Sequence, residues 1–354
     1  MLSPLAGALG VSPSFIPIPL SLAEGEGDLG GEGFAVSPRK ILVTGGAGFI
    51  ASHLVDRLVQ EGLEVMVVDN LSTGMVQNLN PKARFYKLDI QDPRLAEVFE
   101  QERPNVVNHH AAQMSVQASV RDPAHDAQVN ILGTLNLLNI GLSHGVEKFV
   151  YASSGGAIYG EPQYLPCDEK HPIAPLSPYG ASKYAAEIYL QTLGRTQGLN
   201  HTILRYGNIF GPRQDPYGEA GVVAIFAQRM LRGEPVTING NGQQERDFCY
   251  VDDVVEANIA ALLRGDGKAY NIGTGIGTSV NEIFALLKDI TGYNGDPHHG
   301  PAKPGEVFKI SLGCFRAAQE LGWRPQVSLP EGLARTVEYF KHKAKVSPFD
   351  NKGS

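Results

Sequence analysis

The chain has 354 residues, 42% of them hydrophobic, and its 30 basic and 37 acidic side chains leave a formal net charge of −7, so we expect a globular protein with a large core. Because it has neither a basic run interleaved with aromatic residues nor an apolar run of roughly 18 residues, we predict binding to neither nucleic acid nor membrane. The three cysteines, Cys167, Cys249 and Cys314, are too far apart to suggest a disulfide framework or a metal site, so we expect no bound metal and a reducing cytoplasm.

Residues 1–38 differ from the rest of the chain. They contain five prolines and a cluster of glycine and acidic residues from Glu24 to Gly33, and they show no sustained helix or strand period. No Lys or Arg precedes Arg39, so the charged start of a secretory signal is missing. We predict a disordered extension over residues 1–38 and a loose tail over residues 346–354.

The segment Ile41–Leu58 predicts a strand, a sharp glycine turn and a helix in succession. Gly45 and Gly48 lack a Cβ atom, so backbone N–H groups at the start of the helix can approach a pyrophosphate, which the positive end of the helix dipole attracts. Asp69 stands 21 residues after Gly48, where a ribose-binding carboxylate belongs. Because a carboxylate repels a 2′-phosphate, this pattern indicates NAD rather than NADP.

Six short runs predict the strands of a doubly wound parallel sheet, with helical patterns between most of them. The runs are Ile41–Thr44, Val65–Asp69, Arg84–Leu88, Val106–His109, Phe149–Ala152 and Thr202–Arg205. Glycine and proline become frequent after Arg205, which indicates a change of domain. We predict an α/β protein with a Rossmann-like NAD-binding domain at residues 39–206, a return segment at about 250–275, and a smaller C-terminal α/β substrate-binding lobe at 207–249 and 276–345.

The carboxyl ends of parallel strands meet at one edge of a sheet, and ligands of doubly wound proteins bind beyond that edge. Residues that follow the predicted strands are therefore candidates for the binding site. They are Gly45, Asp69, Asp89, Ala111, Ser153 and Asn208.

Tyr179 and Lys183, in the segment SPYGASKYAAE, lie four residues apart on one face of a predicted helix. An ammonium group near a phenol lowers the phenol's pKa, ordinarily near 10, toward the range in which it exchanges protons at neutral pH. The same spacing recurs at Tyr339 and Lys343, so spacing alone is uninformative. A strand ending in SSGG precedes Tyr179, so we interpret Tyr179 and Lys183 as a catalytic pair and Tyr339 as a packing or surface residue.

Nine motifs follow one another along the chain: GGAGFIASH, DNLSTG, HHAAQMSVQAS, SSGGAIYGE, SPYGASK, LRYGNIFGPRQDP, RDFCYVDDV, YNIGTG and KPGEV. In these motifs and their order the chain resembles the extended short-chain dehydrogenase/reductases over essentially all of Lys40–Phe340. Within that family it is most similar to the NAD-dependent epimerases and dehydratases, and among them to the UDP-glucose 4-epimerases. The resemblance implies that NAD takes a hydride from C4 of a UDP-hexose and returns it to the opposite face of the 4-keto sugar.

The resemblance also implies roles for individual residues. Tyr179 would remove the 4-hydroxyl proton and Lys183 would hold the nicotinamide ribose. The implied NAD-binding residues are Gly45, Gly48, Phe49, Ile50, Asp69, Asn70, Asp89, Ile90, Ala111, Ala112, Gln113, Asn130, Ser153, Tyr179 and Lys183. The implied substrate-binding residues are Ser154, Asn208, Arg246, Lys303 and Glu306. Helical patterns at Asp126–Ser143 and Ala181–Leu193 lie where the family forms a homodimer interface.

Two positions, Gly155 and Lys303, depart from the patterns of this family. The family usually places a Ser or Thr hydroxyl four residues before the Tyr of its YG pair, and here that residue is Gly155. We expect Ser154 to supply the catalytic hydroxyl instead, with Ser153 or a water as alternatives. The family usually has an Arg before PGE, and here that residue is Lys303. The Lys ammonium group is a point charge, whereas the Arg guanidinium group is a planar fork that suits the phosphate oxygens of the substrate. Related dehydratases and decarboxylases carry an acid within the segment that residues 156–158 fill here, which favours epimerisation.

Two other functions remain open. The chain can be a 4-epimerase of another UDP-sugar, such as UDP-N-acetylglucosamine or UDP-glucuronate. Ile310 falls where the family gates bulky 2-substituents, and its medium size neither clearly admits nor excludes an N-acetyl group. The chain can also be a non-catalytic NAD-binding sensor, which the missing hydroxyl at Gly155 favours and the intact Tyr179 and Lys183 disfavour.

Overall fold

A computed structural model describes residues 39–217, 221–302 and 307–346. The predicted extension at residues 1–38 lies outside the described residues, as does the predicted tail beyond residue 346. The strands are β1 (Lys40–Thr44), β2 (Glu64–Val68), β3 (Arg84–Tyr86), β4 (Val106–His109), β5 (Lys148–Ser154), β6 (Asn200–Tyr206), β7 (Asn208–Phe210), β8 (Thr237–Asn239), β9 (Glu245–Arg246), β10 (Phe248–Tyr250), β11 (Lys268–Ile272), β12 (Thr278–Ser279) and β13 (His298–Gly300).

Seven of these strands form one parallel sheet in the order β11-β6-β5-β4-β1-β2-β3. Six of them are the predicted strands, each ending within two residues of its predicted bounds. The seventh, β11, was not predicted as a strand, and it pairs with β6 so that Ile272 lies opposite Tyr206. The chain order reverses between β1 and β4, so this sheet confirms the predicted doubly wound α/β fold.

Helices pack on the main sheet and form a second group in the C-terminal part of the chain. The helices of the described residues are α1 (Phe49–Gln60), α2 (Leu95–Glu102), α3 (Val116–Arg121), α4 (Pro123–Ala127), α5 (Thr134–Ser143), α6 (Gly155–Ile158), α7 (Pro178–Gln197), α8 (Val222–Leu231), α9 (Val251–Leu263), α10 (Val280–Thr291) and α11 (Leu329–Val346). A π-helix at Gln128–Gly133 joins α4 to α5, so the predicted pattern at Asp126–Ser143 is one continuous helical segment. A further π-helix lies at Ala317–Leu321 and a 3₁₀ turn at Val76–Asn78.

Helix α7 carries the predicted catalytic pair and has clear end signals. Its N-cap, Ser177, accepts a hydrogen bond from the Gly180 N–H group at 3.2 Å, and Pro178 occupies the first turn, where a missing N–H costs nothing. The helix ends at Gly198, whose φ of 71° is the left-handed conformation that glycine adopts without strain. The N-terminal signals fix where the helix begins, and Tyr179 lies in its first turn.

Two large hydrophobic clusters of the described residues support the sheet and the C-terminal helices. One face of the main sheet packs with α2, α5 and α7, while α1 packs against α9. The second core joins α8, α10 and α11 to the short strands β7 and β10, through apolar side chains such as Phe210, Phe226 and Ile283. The domain bounds given above stay a prediction. None of the helices in the described ranges is both long and apolar enough to span a bilayer.

A buried ion pair ties α7 to β6. Arg205 donates to both carboxylate oxygens of Glu187, with Nε–Oε1 and Nη2–Oε2 distances of 3.0 and 2.6 Å, and the Glu187 side chain is completely buried. Arg205 also donates to the Tyr159 hydroxyl at 2.9 Å, and the Ser153 hydroxyl donates to Glu187 at 2.5 Å. Each buried charge is therefore paired and hydrogen-bonded, as burial in a low-dielectric interior requires.

Arg205→Met would leave Glu187 buried without its counter-charge, so we expect the free energy of unfolding to fall by about 3–5 kcal/mol. The double variant Glu187→Gln/Arg205→Met should lose less, because no charge is orphaned. Urea denaturation followed by circular dichroism measures both, and Arg94→Gln, whose pair with Asp92 is at the surface, should leave the midpoint unchanged. A double variant no more stable than Arg205→Met would contradict the charge-pairing argument.

Candidate active site

The glycine turn brings α1 close to the end of β4. Gly45 has a φ of 71°, and a Cβ atom there would lie 2.8 Å from the Ala111 backbone nitrogen, so no other residue fits. Gly48 is the N-cap of α1 and supplies no side chain to cap it. The N–H groups of Phe49 and Ile50 belong to the first turn, which lacks intrahelical acceptors, and the helix dipole adds positive potential there. This geometry suits an anion such as a pyrophosphate.

Asp69 is held in place just after β2. Its Oδ2 accepts from the Ala47 N–H group at 3.0 Å and its Oδ1 from the Leu71 N–H group at 2.8 Å, and the side chain is buried. Asn70 donates to Asp89 Oδ2 at 2.7 Å. The predicted adenosine-side residues Asp69, Asn70 and Asp89 are thus brought together at the carboxyl edge of the sheet. Each carboxylate oxygen of Asp69 can accept a second hydrogen bond, as from a ribose hydroxyl.

Ile90 lies further along the same edge, with its side chain buried. A Cβ atom on Gly133 would lie 2.8 Å from Ile90 Cδ1, so Ile90 packs tightly against the π-helix. Its carbonyl oxygen accepts from Asn136 Nδ2 at 2.7 Å. Packing and hydrogen bonding therefore fix the Ile90 backbone beside Asp89.

The loop after β4 is bound to the π-helix by reciprocal hydrogen bonds. The Gln113 N–H group donates to Asn130 Oδ1 at 2.9 Å, and Asn130 Nδ2 donates back to the Gln113 carbonyl at 2.9 Å. At the start of the loop, the His110 and Ala111 N–H groups donate to Thr44 Oγ1, each at 3.2 Å. π-Helical turns recur at functional sites. Here the turn places Asn130 against the predicted cofactor loop 111–113.

The two serines at the end of β5 face different partners. The Ser153 hydroxyl is committed to Glu187, inside the protein. The Ser154 hydroxyl instead lies close enough to the Tyr179 phenol to act as its hydrogen-bond partner, which opposes the rise in the phenol's pKa that burial causes. Of the two, Ser154 is thus the one whose hydroxyl meets the predicted catalytic tyrosine.

Gly155 has no room for the hydroxyl that the family usually carries. A Cβ atom at Gly155 would lie 2.6 Å from Leu312 Cδ1, whereas one at Gly156 would lie 3.6 Å from Asn208 Oδ1 and 4.0 Å from Ser154 Oγ. A side chain at position 155 would therefore point at Leu312. The departure at Gly155 follows from this close packing.

Tyr179 and Lys183 lie one turn apart on α7, as predicted. Lys183 is buried, with Nζ 4.4 Å from the centroid of the Tyr151 ring. Burial lowers the pKa of Lys183 to about 8, opposed by the negative charges of Glu187 and Asp126. Burial raises the pKa of Tyr179 to about 12; the neighbouring Ser154 hydroxyl opposes this rise, and the charge of Asp126 adds to it. The lowering of this pKa by Lys183 and the nicotinamide ring stays a prediction for the cofactor-bound enzyme.

The predicted substrate residues of the C-terminal part lie on short strands. Asn208 begins β7, and its N–H group donates to the Asp247 carbonyl at 2.7 Å. Arg246 ends β9, and its Nη1 donates to the Glu245 carbonyl at 2.9 Å and the Phe308 carbonyl at 3.3 Å. Lys303 and Glu306 lie outside the described residues.

Ile310 is buried rather than open to a cleft. It is 2% exposed and belongs to a hydrophobic cluster with Ile158, Tyr159 and Cys167. Its side chain can therefore affect the size of a sugar pocket only if this cluster rearranges.

Sequence reasoning missed three buried acids near the site: Asp126, Glu187 and Asp247. Glu187 could have been found, because it continues the four-residue spacing of Tyr179 and Lys183 on α7. Asp247 accepts hydrogen bonds from the Thr274, Gly275 and Leu312 N–H groups at 2.7–2.9 Å, partners that no local pattern indicates. Within the described ranges, no group of three or more His, Cys, Asp or Glu could hold a metal ion.

Comparison with known proteins agrees with this architecture. Residues 41–273 match the family model of the NAD-dependent epimerase/dehydratase family. A UDP-glucose 4-epimerase of Mycolicibacterium smegmatis is 43% identical over 312 residues, which are 86% of this chain and 100% of the relative. A dTDP-D-glucose 4,6-dehydratase of Mus musculus is 35% identical, over 86% of this chain and 89% of the relative.

Solved structures are similar over the same part of the chain. A UDP-glucose 4-epimerase of Thermotoga maritima with UDP-glucose superposes with a TM-score of 0.85 at 54% identity, over 86% of this chain and 99% of that one. A UDP-glucose 4-epimerase of Thermus thermophilus in complex with NAD gives a TM-score of 0.82 at 46% identity, over 85% and 99%. From these matches and the site geometry, this chain belongs to the NAD-dependent epimerase/dehydratase family.

Proposed function

We propose that this protein catalyses the NAD-dependent interconversion of UDP-glucose and UDP-galactose through a transient 4-keto sugar. The observation that carries the proposal is the Ser154–Tyr179 hydroxyl pair, one helical turn from buried Lys183, at the carboxyl edge of the sheet. Relatives named UDP-glucose 4-epimerase, at 43–54% identity, support it. Among the related reactions, epimerisation is also the one that needs no further acid.

The residues at the glycine turn fit NAD. Gly45 leaves the space against Ala111 that a Cβ atom would fill, and the Asp69 carboxylate disfavours a 2′-phosphate. The turn would hold the pyrophosphate through the first N–H groups of α1, and Asp69 the adenosine ribose. The other proposed cofactor contacts are Asn70, Asp89, Ile90, Ala111, Ala112, Gln113, Asn130, Ser153 and Lys183. NAD, when bound, supplies a reversible hydride acceptor.

Proton transfer falls to Tyr179. As a phenolate it would take the proton of the sugar 4-hydroxyl group, and as a phenol it would return that proton to the inverted oxygen. Burial holds the pKa of Tyr179 at about 12, so the neighbouring Ser154 hydroxyl and the positive nicotinamide ring would have to stabilise the phenolate. Lys183 would hold the nicotinamide ribose and add positive charge.

The sugar nucleotide would lie across the C-terminal part of the site. Arg246 offers a planar fork for diphosphate oxygens, and Asn208 an amide oxygen that would lie 3.6 Å from a Cβ atom on Gly156. Lys303 and Glu306 are proposed as further contacts. α6 offers Gly156, Ala157 and Ile158 beside the Tyr179–Ser154 pair, and none of these can act as an acid or base. This disfavours 4,6-dehydration, the reaction for which some relatives are named.

We also propose that the protein works in the cytoplasm without a nucleic acid partner. Its three cysteines are free thiols, which suits a reducing compartment. The acidic net charge of −7 gives no electrostatic attraction for a phosphate backbone.

Tyr179→Phe should abolish turnover while leaving NAD bound, because only the proton-transferring oxygen is removed. Purified protein with UDP-galactose and trace NAD should give a stable mixture with UDP-glucose, followed by the anomeric proton signals in NMR. We expect the variant to be slower by about 10²–10⁴-fold. Tyr339→Phe, at the second Tyr–Lys spacing, is the matched control and should retain wild-type rates. An active Tyr179→Phe enzyme would overturn the mechanism.

If UDP-galactose is unchanged, the same assay with UDP-N-acetylglucosamine and UDP-glucuronate tests the other 4-epimerase activities. Failure with all three sugars, with NAD still bound, would leave the sensor function. The anomeric signals separate these cases in one experiment.

Ser154→Ala should reduce kcat by about 10–100-fold, since the phenol loses its hydrogen-bond partner and its pKa rises. Adding Gly155→Ser should not restore the rate, because a Cβ atom there meets Leu312 rather than Tyr179. Steady-state rates of the single and double variants decide this. Recovery of activity in the double variant would show that position 155 can reach the site.

We propose a homodimer formed by the 123–143 helical segment and α7. Leu132, Ile188 and Tyr189 on these elements are 58%, 46% and 43% exposed, which is typical of residues that a partner covers. Light scattering at micromolar concentration should give a dimer mass, and Leu132→Asp/Ile188→Asp a monomer mass. Phe315→Asp, at an exposed phenylalanine elsewhere, should remain dimeric. A monomeric wild type would refute the proposal.

A further inference from the structure

Asp126, at the end of α4, is a buried carboxylate beside the catalytic pair. It is 1% exposed, and its Oδ1 accepts from Gln113 Nε2 at 2.8 Å and Asn130 Nδ2 at 3.1 Å. Its Oδ2 is buried and has no hydrogen-bond partner among the described residues. An unsatisfied carboxylate oxygen is costly to bury, so its presence calls for a function.

The hydrogen bonds of Asp126 form a clamp between the loop after β4 and α7. Asn130 Nδ2, besides binding Asp126, lies 3.1 Å from Ser182 Oγ, and Ser182 donates to the Tyr179 carbonyl at 3.0 Å. Gln113 carries the clamp to the loop, through its side chain and its backbone bonds with Asn130. A displacement at Asp126 would therefore reach both the loop and the first turn of α7.

Asp126 also completes the charge balance around Lys183. The groups that interact with Lys183 are Glu187 from α7 and Asp126 from α4, through their charges, the Tyr151 ring from β5, and His109 and His110 from β4. Burial lowers the pKa of both histidines, that of His110 to about 4, so they are neutral near pH 7. Glu187 is already neutralised by Arg205. Asp126 has no cationic hydrogen-bond partner in the described part of the chain.

We infer that Asp126 is a positioning residue for Tyr179 and Lys183: it fixes the cofactor loop to α7, and its second oxygen supplies the negative charge that balances the Lys183 ammonium group. This rests on the proposed epimerase function. The electrostatic effect has a definite sign, since Asp126 raises the pKa of both Tyr179 and Lys183.

Asp126→Asn keeps the shape and one acceptor oxygen but removes the charge. The phenolate of Tyr179 becomes easier to form, and Lys183 loses its proton more readily. In the pH profile of kcat/KM for UDP-galactose, the acidic limb reports ionisation of Tyr179 and the alkaline limb reports loss of the Lys183 proton. We therefore expect both limbs to move to lower pH by about half a unit or more. Asp126→Glu, which retains the charge, should keep both limbs within a few tenths of a unit of the wild-type positions.

Two control variants separate charge from structure. Ser182→Ala loosens the clamp with the charge intact, so kcat should fall while both limbs stay in place. Asp253→Asn removes another buried acid, which accepts from the Gln326 and Val327 N–H groups, and should lower thermal stability without moving the limbs. If Asp126 had only a structural role, Asp126→Asn would behave like Ser182→Ala: kcat would fall and both limbs would stay in place.

A second measurement needs no turnover. NMR titration of isotope-labelled lysine in the full chain, with the Lys183 signal assigned by Lys183→Met, should show its pKa falling by about half a unit or more in Asp126→Asn. An inactive wild type in the UDP-galactose assay would refute the proposed function, and this titration would still decide the charge role of Asp126. An unchanged Lys183 titration overturns the inference. Asp126→Ser, which leaves room for a water, carries the same test if the Asn variant does not fold.

Discussion

Parallel strand direction is the constraint on which the rest of the site depends. All seven strands of the main sheet run the same way, so residues far apart in sequence meet at one edge. The reversal of strand order between β1 and β4 leaves a crevice there, because the connections on either side diverge. Gly45, Asp69, Ala111 and Ser154 reach that crevice from four different strands, and one antiparallel strand would have sent its residue to the opposite edge.

Buried charge is the second requirement, and it links catalysis to folding. Lys183 must remain an ammonium group inside the protein, where burial alone favours the neutral amine. The chain meets this need with two acids, of which Glu187 is itself held by Arg205 and Asp126 is held by neutral amides. Asp126 also opposes ionisation of Tyr179, and Glu187 opposes that of Tyr151. The negative charge that keeps Lys183 protonated therefore also keeps these phenols protonated.

The local features were predictable from sequence, and the long-range ones were not. Short runs rich in apolar residues identified six strands, and the glycine turn followed from residue types alone. β11 was missed because Lys268–Ile272, KAYNI, shows no clear local period, and its place in the sheet is set by pairing with β6. Asp126 was missed because its partner Gln113 lies on another element, whereas the four-residue spacing on α7 did point to Glu187. The high pKa of Tyr179 was not foreseen, since residue spacing gives proximity but not the cost of burial.

The contact between Gly155 and Leu312 joins the end of β5 to a segment near the other end of the chain. The Leu312 backbone is fixed, because its N–H group donates to Asp247 at 2.9 Å and it bridges to Cys167, and its side chain is completely buried. The side chains at positions 155 and 312 therefore compete for the same space. Among homologous sequences the two positions should covary: Ser or Thr at position 155 should be accompanied by a residue smaller than Leu at position 312. The residue that supplies the proton-sharing hydroxyl would then depend on both positions together.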